Sequence, residues 1–302
     1  MWPILFRWGP VVVYSYGTIY LGGFILSYWI FRNRLTRQGF SVSDASLLYG
    51  VTVTAGLLGT RVLHALVAPR PAWLEVSPGQ LLQSGGMYYG GLLAGFATLA
   101  AVAHFRYRQV RPVLDAVAPA LASGHALGRL GCLAAGCCWG RPTDLPWGIV
   151  FTHPLAQAVN GTPLRVRLHP VQVYEALLEG GLAFWLFRWG RTSWSGTGGL
   201  WGIYLMGYGV IRLGLERLRG VPKPVVWGSW SVNDLISVGL IGAGLFFLER
   251  ARRMRMGKIP ADGLRSGEPS SANPDLSTLT RGGPTRPIGR RRSGRRPTGR
   301  PN

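Results

Sequence analysis

An alternation governs what this chain can fold into. Seven apolar runs, at about residues 11–31, 47–67, 87–104, 113–135, 171–187, 198–213 and 232–248, are separated by links of alternating character. As helices, most of these runs are long enough to cross about 30 Å of hydrocarbon. Lipid admits only backbones whose polar groups are satisfied internally, so the runs are predicted to be transmembrane helices and the fold to be all-α. Every second link is short and basic: Arg32, Arg34 and Arg37, then Arg106, Arg108 and Arg111, then Arg188 and Arg191, and last Arg250, Arg252, Arg253, Arg255 and Lys258. The other links are longer and hold fewer cations for their length. This asymmetry predicts a polytopic membrane protein of seven spans with its N-terminus outside and its C-terminus cytoplasmic.

The same asymmetry settles how to read 33 Lys and Arg against 12 Asp and Glu. Such an excess in a soluble chain points to nucleic acid. Here the cations flank apolar runs, and no nucleic-acid partner is expected. The opening MWPILFRWGP lacks the basic region, short apolar core and small-residue site of a cleaved leader, so the first run is expected to be a retained span. Two units follow from composition: a membrane domain over 1–258, and a tail over 259–302 rich in Arg, Pro, Ser and Gly. The tail cannot bury a core and is expected to be disordered in the cytoplasm, solvated or lying against anionic headgroups.

Polar residues inside the runs are functional-site candidates by default, because each is costly in hydrocarbon. With the predicted topology they share one depth, the outer half. Arg61 lies in the second run, His125 and Arg129 in the fourth at i,i+4 on one helix face, and Glu175 and Glu179 in the fifth. Tyr208, Arg212 and Glu216 follow one another at single-turn spacing at the end of the sixth. Two or three arginines with few acids suit a phosphate, whose oxygens the guanidinium fork matches. Apolar walls suit acyl chains, so a phospholipid headgroup and membrane lipids are the expected ligands. The plainer alternative is pairing within the protein: Arg212 with Glu216, and Arg61 and Arg129 with Glu175 or Asp115. Cys132, Cys137 and Cys138 form no C-x-x-C pair and include two neighbours, so no metal and no cofactor are expected.

The motifs together resemble the prolipoprotein diacylglyceryl transferases, bacterial inner-membrane enzymes with seven spans. The family signature G-R-x-G-N-F-x-N-G-E-x-x-G-R is read here across Gly128–Arg141, GRLGCLAAGCCWGR. Tyr16-Gly17, Gly59 with Arg61, GGMYYGGLLAG at 85–95, H-P-x-Q-x-Y-E at 169–175 and G-Y-G-x-x-R at 207–212 also match. The resemblance covers about residues 10 to 250. It implies transfer of the diacylglyceryl group of phosphatidylglycerol to the lipobox cysteine of a prolipoprotein, giving a thioether and glycerol 1-phosphate. Prolipoprotein signal peptides are then partners, the location is the bacterial plasma (inner) membrane with the site facing the outer leaflet, and a monomer is expected.

The resemblance also implies roles. Arg129 matches an arginine regarded as essential in the family, Arg212 one regarded as important, and Tyr208 a tyrosine of the site. Arg61, Tyr16, Glu175, Glu216 and Arg141 are the further substrate-binding candidates. The chain departs from the family at telling positions. Tyr89 stands at or beside the place of the histidine favoured as thiol activator, Cys132 and Ala135 replace the signature's asparagines, Cys137 its glutamate, and Asp234 a glutamine of the last span. His125, one turn before Arg129, is the replacement base this reading selects. An unshifted Tyr89 is a poor base at pH 7, its ordinary pKa being near 10. The competing function is a membrane protein that binds phospholipid or lipopeptide and has lost the transfer. A transporter would need a polar route to the inner face.

Overall fold

The computed structural model describes residues 3–9, 11–67, 88–190, 194–221 and 225–257. The tail from 259, the link after the second helix and the side chain of Tyr89 lie outside the described residues. The chain is mostly helical. Seven helices of 18 residues or more are α1 (Ser15–Thr36), α2 (Val42–Val67), α3 (Tyr88–Phe105), α4 (Val110–Ala135), α6 (Val171–Trp189), α7 (Gly199–Glu216) and α8 (Val232–Met256). A short helix of about two turns, α5 (Pro154–Asn160), lies between α4 and α6. Three small antiparallel ribbons pair β1 (Ile4–Trp8) with β2 (Val11–Tyr14), β3 (Ile149–Val150) with β4 (Arg167–Leu168), and β5 (Val225–Trp227) with β6 (Trp230–Ser231). The first apolar run therefore begins as a strand: the β-branched Val11–Val13 pair with β1, and helix starts only at Ser15.

Asp44 near the start of α2 accepts a hydrogen bond from Tyr107 in the α3–α4 link, at 2.8 Å. The end of α1 reaches the end of α6, where Arg34 Nη2 donates to the Phe187 carbonyl at 2.9 Å. Arg111 Nη1 lies 2.8 Å from Met254 Sδ, joining the start of α4 to the end of α8. These contacts gather the basic links at one end of the bundle. The opposite end receives the start of α6 and the ends of α4 and α7.

Asp115 sets the register of α4 against α7. Its carboxylate accepts from the Gly198 and Trp201 amides at 2.9 and 3.0 Å, and so caps the first turn of α7. Asp115 thus serves the start of a neighbouring helix, and both its oxygens are taken by backbone amides and not by Arg61 or Arg129. Ten residues further along both helices, His125 meets Tyr208 with ring centroids 5.3 Å apart, so α4 and α7 run parallel. Helices α7 and α8 touch through glycine: a Cβ on Gly202 would lie 2.8 Å from the Gly244 carbonyl oxygen, and one on Gly244 2.7 Å from that of Gly202. Gly59 and Gly90 make the same kind of backbone contact between α2 and α3. Small residues at such crossings are the way helices pack without a hydrophobic driving force.

Among the described residues, two helices, over Val42–Leu66 and Val232–Met256, are long and apolar enough to cross a membrane, and Gly90–Phe105 is a shorter apolar helix. The others carry charges, and in α6 the two acids are turned inward. In α6, Glu175 and Glu179 are 1% and 0% exposed while Leu177 and Phe184 are 70% and 72% exposed. Carboxylates inside and leucine outside is the reverse of a water-soluble helix. Replacing Gly244 with leucine is expected to destabilise the bundle by about 1–3 kcal/mol through overpacking, read as a lowered unfolding temperature in detergent. Gly180→Ala, where nothing lies within 4 Å of the new Cβ, leaves that temperature unchanged.

Candidate active site

The site is built by α4, α6 and α7. Helix α6 runs antiparallel to α4, so two carboxylates one turn apart meet an imidazole and a guanidinium one turn apart. Glu175 Oε1 lies 2.9 Å from Arg129 Nη2, and Glu179 Oε1 lies 3.1 Å from His125 Nδ1. On α7, Arg212 Nη2 pairs with Glu216 Oε2 at 2.9 Å. Because α4 and α7 are parallel and level at His125 and Tyr208, Arg129 and Arg212 each stand one turn beyond that contact, at like height.

Glu216 is a hub. Besides Arg212 it draws Arg219 Nε to 3.7 Å, and its Oε1 accepts from Asn233 Nδ2 at 3.0 Å and Ser231 Oγ at 3.4 Å. Ser231 and Asp234 form a capping box at the start of α8, and Asp234 also receives Arg217 Nη1 at 2.8 Å. Asp234, at the position matched to a glutamine, is therefore committed to holding the α7–α8 turn.

Each buried guanidinium keeps a donor in reserve. Arg129 Nε and Arg212 Nη1 are buried and have no hydrogen-bond partner among the described residues. A buried donor left unsatisfied costs about 1–3 kcal/mol; Glu179 Oε2 is likewise buried without a hydrogen bond among the described residues, so the network offers both donors and an acceptor to a polar ligand. Both plain alternatives, Arg129 with Glu175 and Arg212 with Glu216, are thus present, and they coexist with spare donors rather than exhausting them.

Among the remaining candidates, Tyr16 stacks on Tyr20 with centroids 5.4 Å apart and packs over Gly131. Tyr208 stacks on Tyr204 at 6.0 Å, which meets Trp201 at 5.5 Å, which stacks on Phe96 at 5.7 Å. This ladder runs from His125 to an apolar cavity of about 270 Å³ between α1, α2, α3 and α4, whose lining includes Phe24, Leu57, Phe96, Leu121 and Trp201. Arg61 is half-buried in α2, which packs chiefly on α3 and α1. It is therefore not among the residues gathered by α4, α6 and α7. Arg141 is exposed; its backbone amide donates to the Leu218 carbonyl at 2.8 Å and ties the loop after α4 to the loop after α7.

Sequence reasoning missed three participants. Gln172, 1% exposed, donates Nε2 to the Cys137 carbonyl at 2.7 Å. Arg219 and Asn233 converge on Glu216; their i,i+3 spacing and cap-adjacent position were the available signals. The three cysteines also come together, with thiols all within 4.8 Å of one another.

Fold and site together define a helical protein with an apolar exterior, buried arginine–glutamate pairs toward one end of the bundle and an apolar cavity beside them. The chain belongs to the prolipoprotein diacylglyceryl transferase family, whose model matches residues 3–250. It is 34% identical to the phosphatidylglycerol–prolipoprotein diacylglyceryl transferase of Bordetella parapertussis over 254 residues, covering 81% of this chain and 94% of that one. It is 30% identical to the protein of the same name from Clostridium tetani over 256 residues, covering 84% of this chain and all of the relative. The relative from Solidesulfovibrio magneticus is 33% identical over 259 residues, covering 82% and 94%.

Removing one partner of a buried ion pair strands the other charge. Glu175→Gln is therefore expected to cost about 3–5 kcal/mol of stability, measured by denaturant unfolding in detergent. Glu249→Gln, which breaks an exposed pair with Arg253, is expected to leave the unfolding midpoint where it was.

Proposed function

We infer that this protein transfers the diacylglyceryl group of phosphatidylglycerol to the thiol of a lipobox cysteine in prolipoproteins, forming a thioether and releasing glycerol 1-phosphate. The observation that carries this reading is the pair of buried arginines, each held by a glutamate yet each retaining an unused donor, in a chain of this family. The seven long helices are read as seven spans, with the N-terminus outside and the C-terminus cytoplasmic. Gathering of the basic links at one end supports that orientation. It puts Arg129 and Arg212 at the outer leaflet of the bacterial plasma membrane.

The phosphate diester then sits between Arg129 and Arg212, with Arg219 behind Glu216. The acyl chains run along the apolar cavity beside Trp201. His125 Nδ1 faces Glu179, which favours the tautomer with hydrogen on Nδ1 and leaves Nε2 to accept a proton. The incoming thiol passes its proton to His125. Its sulfur attacks the glycerol carbon that bears the phosphate, and the C–O bond breaks with its electron pair on the phosphate oxygen. The charge growing there is what the unused guanidinium donors meet. Tyr208, stacked against His125, and Tyr16 complete the wall. Tyr89 is the alternative acceptor, at the place the family gives to histidine.

A second reading is favoured by the substitutions Cys132, Ala135 and Cys137 in the signature: the site holds the phospholipid without transferring it. Incubating the purified protein with phosphatidylglycerol vesicles and a lipobox peptide separates the two. Transfer adds the mass of a diacylglyceryl group to the peptide cysteine; a peptide of unchanged mass overturns the transferase reading. Arg129→Gln is expected to abolish the mass shift, and Arg212→Gln to slow it roughly 100-fold or more. His125→Ala should stop transfer while phosphatidylglycerol still co-purifies.

A further inference from the structure

The three cysteines are absorbed by none of the roles above, since the nucleophile of the proposed reaction is the substrate's thiol. Their spacing in sequence argues against a metal, because Cys137 and Cys138 are adjacent and no C-x-x-C pair exists. In space the objection fails. Cys132 lies in the last turn of α4, and the chain then turns back on itself. Gly136 takes the left-handed conformation at φ 75° to end the helix, and the Cys137 amide returns to the Cys132 carbonyl at 3.0 Å. Cys138 adopts φ 56°, a left-handed conformation that costs a non-glycine residue about 1–3 kcal/mol and persists only where surroundings over-determine it. That twist places neighbouring thiols on the same side as Cys132.

The geometry matches a known coordination radius. Zinc–sulfur bonds are about 2.3 Å, so three sulfurs around one ion stand about 4 Å apart. All three thiols lie within 4.8 Å of one another, so closing to that arrangement takes shifts of about 1 Å or less. The backbone around the thiols is held by hydrogen bonds from neighbouring side chains. Gln172 Nε2 holds the Cys137 carbonyl at 2.7 Å, Thr162 Oγ1 holds that of Gly136 at 2.5 Å, and Asn160 Nδ2 that of Ala135 at 3.2 Å. The charge is also suited: Cys138 stands within electrostatic reach of both Arg129 and Arg219, which favour a cluster of net negative charge. Three thiolates on a divalent ion carry a net charge of −1.

We propose that Cys132, Cys137 and Cys138 form a three-thiolate site for a thiophilic d10 cation, zinc being the class tested, with its fourth position open to a thiol from outside the chain. A tetrahedral ion with three protein ligands keeps one exchangeable position, and each of the three cysteines is only partly buried. The identity of the fourth ligand rests on the transferase reading: the lipobox cysteine is the soft ligand that reaction brings to this mouth. The proton lost when that thiol ligates the ion is the one His125 is proposed to receive.

Cobalt(II) is the reporter. Added to the full chain in detergent under reducing conditions, it is expected to give a sulfur-to-cobalt charge-transfer band at one ion per chain, displaced by stoichiometric zinc. The band should be lost in the C132S/C137S/C138S variant. Should that variant not fold, the wild type decides: bound zinc is expected to shield all three thiols from a thiol-modifying reagent, and a chelator to expose them. No band, a band surviving in the folded triple variant, or thiols equally reactive with and without zinc overturns the site. A lipobox peptide is expected to intensify the cobalt band, and the same peptide with serine for cysteine to leave it unchanged; equal spectra overturn the open position. These measurements need no lipid. A cobalt band without transfer therefore sinks only the transferase reading, and transfer without a band sinks only the metal site.

Discussion

A guanidinium held away from water must be answered by a carboxylate, and the bundle is arranged so that this happens at one depth. Arg129 with Glu175 and Arg212 with Glu216 are pairs in which both partners are nearly buried. Leaving either charge alone in such a place costs several kcal/mol, more than a single helix contact can return. The antiparallel course of α4 and α6 and the parallel course of α4 and α7 are the topologies that bring these partners together. Asp115, capping α7 from inside α4, fixes the second of them ten residues below the site.

The price of those buried charges is met at the helix crossings. Where Gly202 faces Gly244 and Gly59 faces Gly90, backbones touch and dispersion contacts are dense. The outer faces contribute little internal packing, as the exposed Leu177 and Phe184 show, and so depend on an apolar surround. The same helix, α6, thus presents acid to the site and hydrocarbon to the outside.

Much of this was legible in the residues. Seven apolar runs forecast the seven long helices, because a run of that length has few other ways to satisfy its backbone. The i,i+4 steps from His125 to Arg129 and from Tyr208 to Arg212 to Glu216 put those groups on common faces, and the structure places them so. What periodicity cannot carry is which face of one helix meets which face of another. Arg61 sits on α2, which packs chiefly on α3 and α1 and lines the far side of the apolar cavity from α4, a placement that spacing within one run cannot give. The cysteines failed in the opposite sense. Adjacent residues normally diverge, and only the left-handed backbone at Cys138, invisible in one sequence, lets them converge.

On the proposed assignment of roles, the charge balance at the site favours reaction over storage. Arg129, Arg212 and Arg219 face Glu175, Glu179 and Glu216, and with His125 neutral these six sum to zero. A bound phosphate diester would bring the sum to −1 with no cation of its own to answer it. Cleavage of the C–O bond turns that diester into a monoester with a second negative charge. With His125 as the proposed acceptor, the same event would leave the thiol's proton there, adding a positive charge one turn from Arg129. The protein therefore gains a cation as the leaving group gains an anion. A site so arranged interacts more strongly with the departing phosphate than with the intact lipid, which is the condition for accelerating the transfer rather than merely binding its donor.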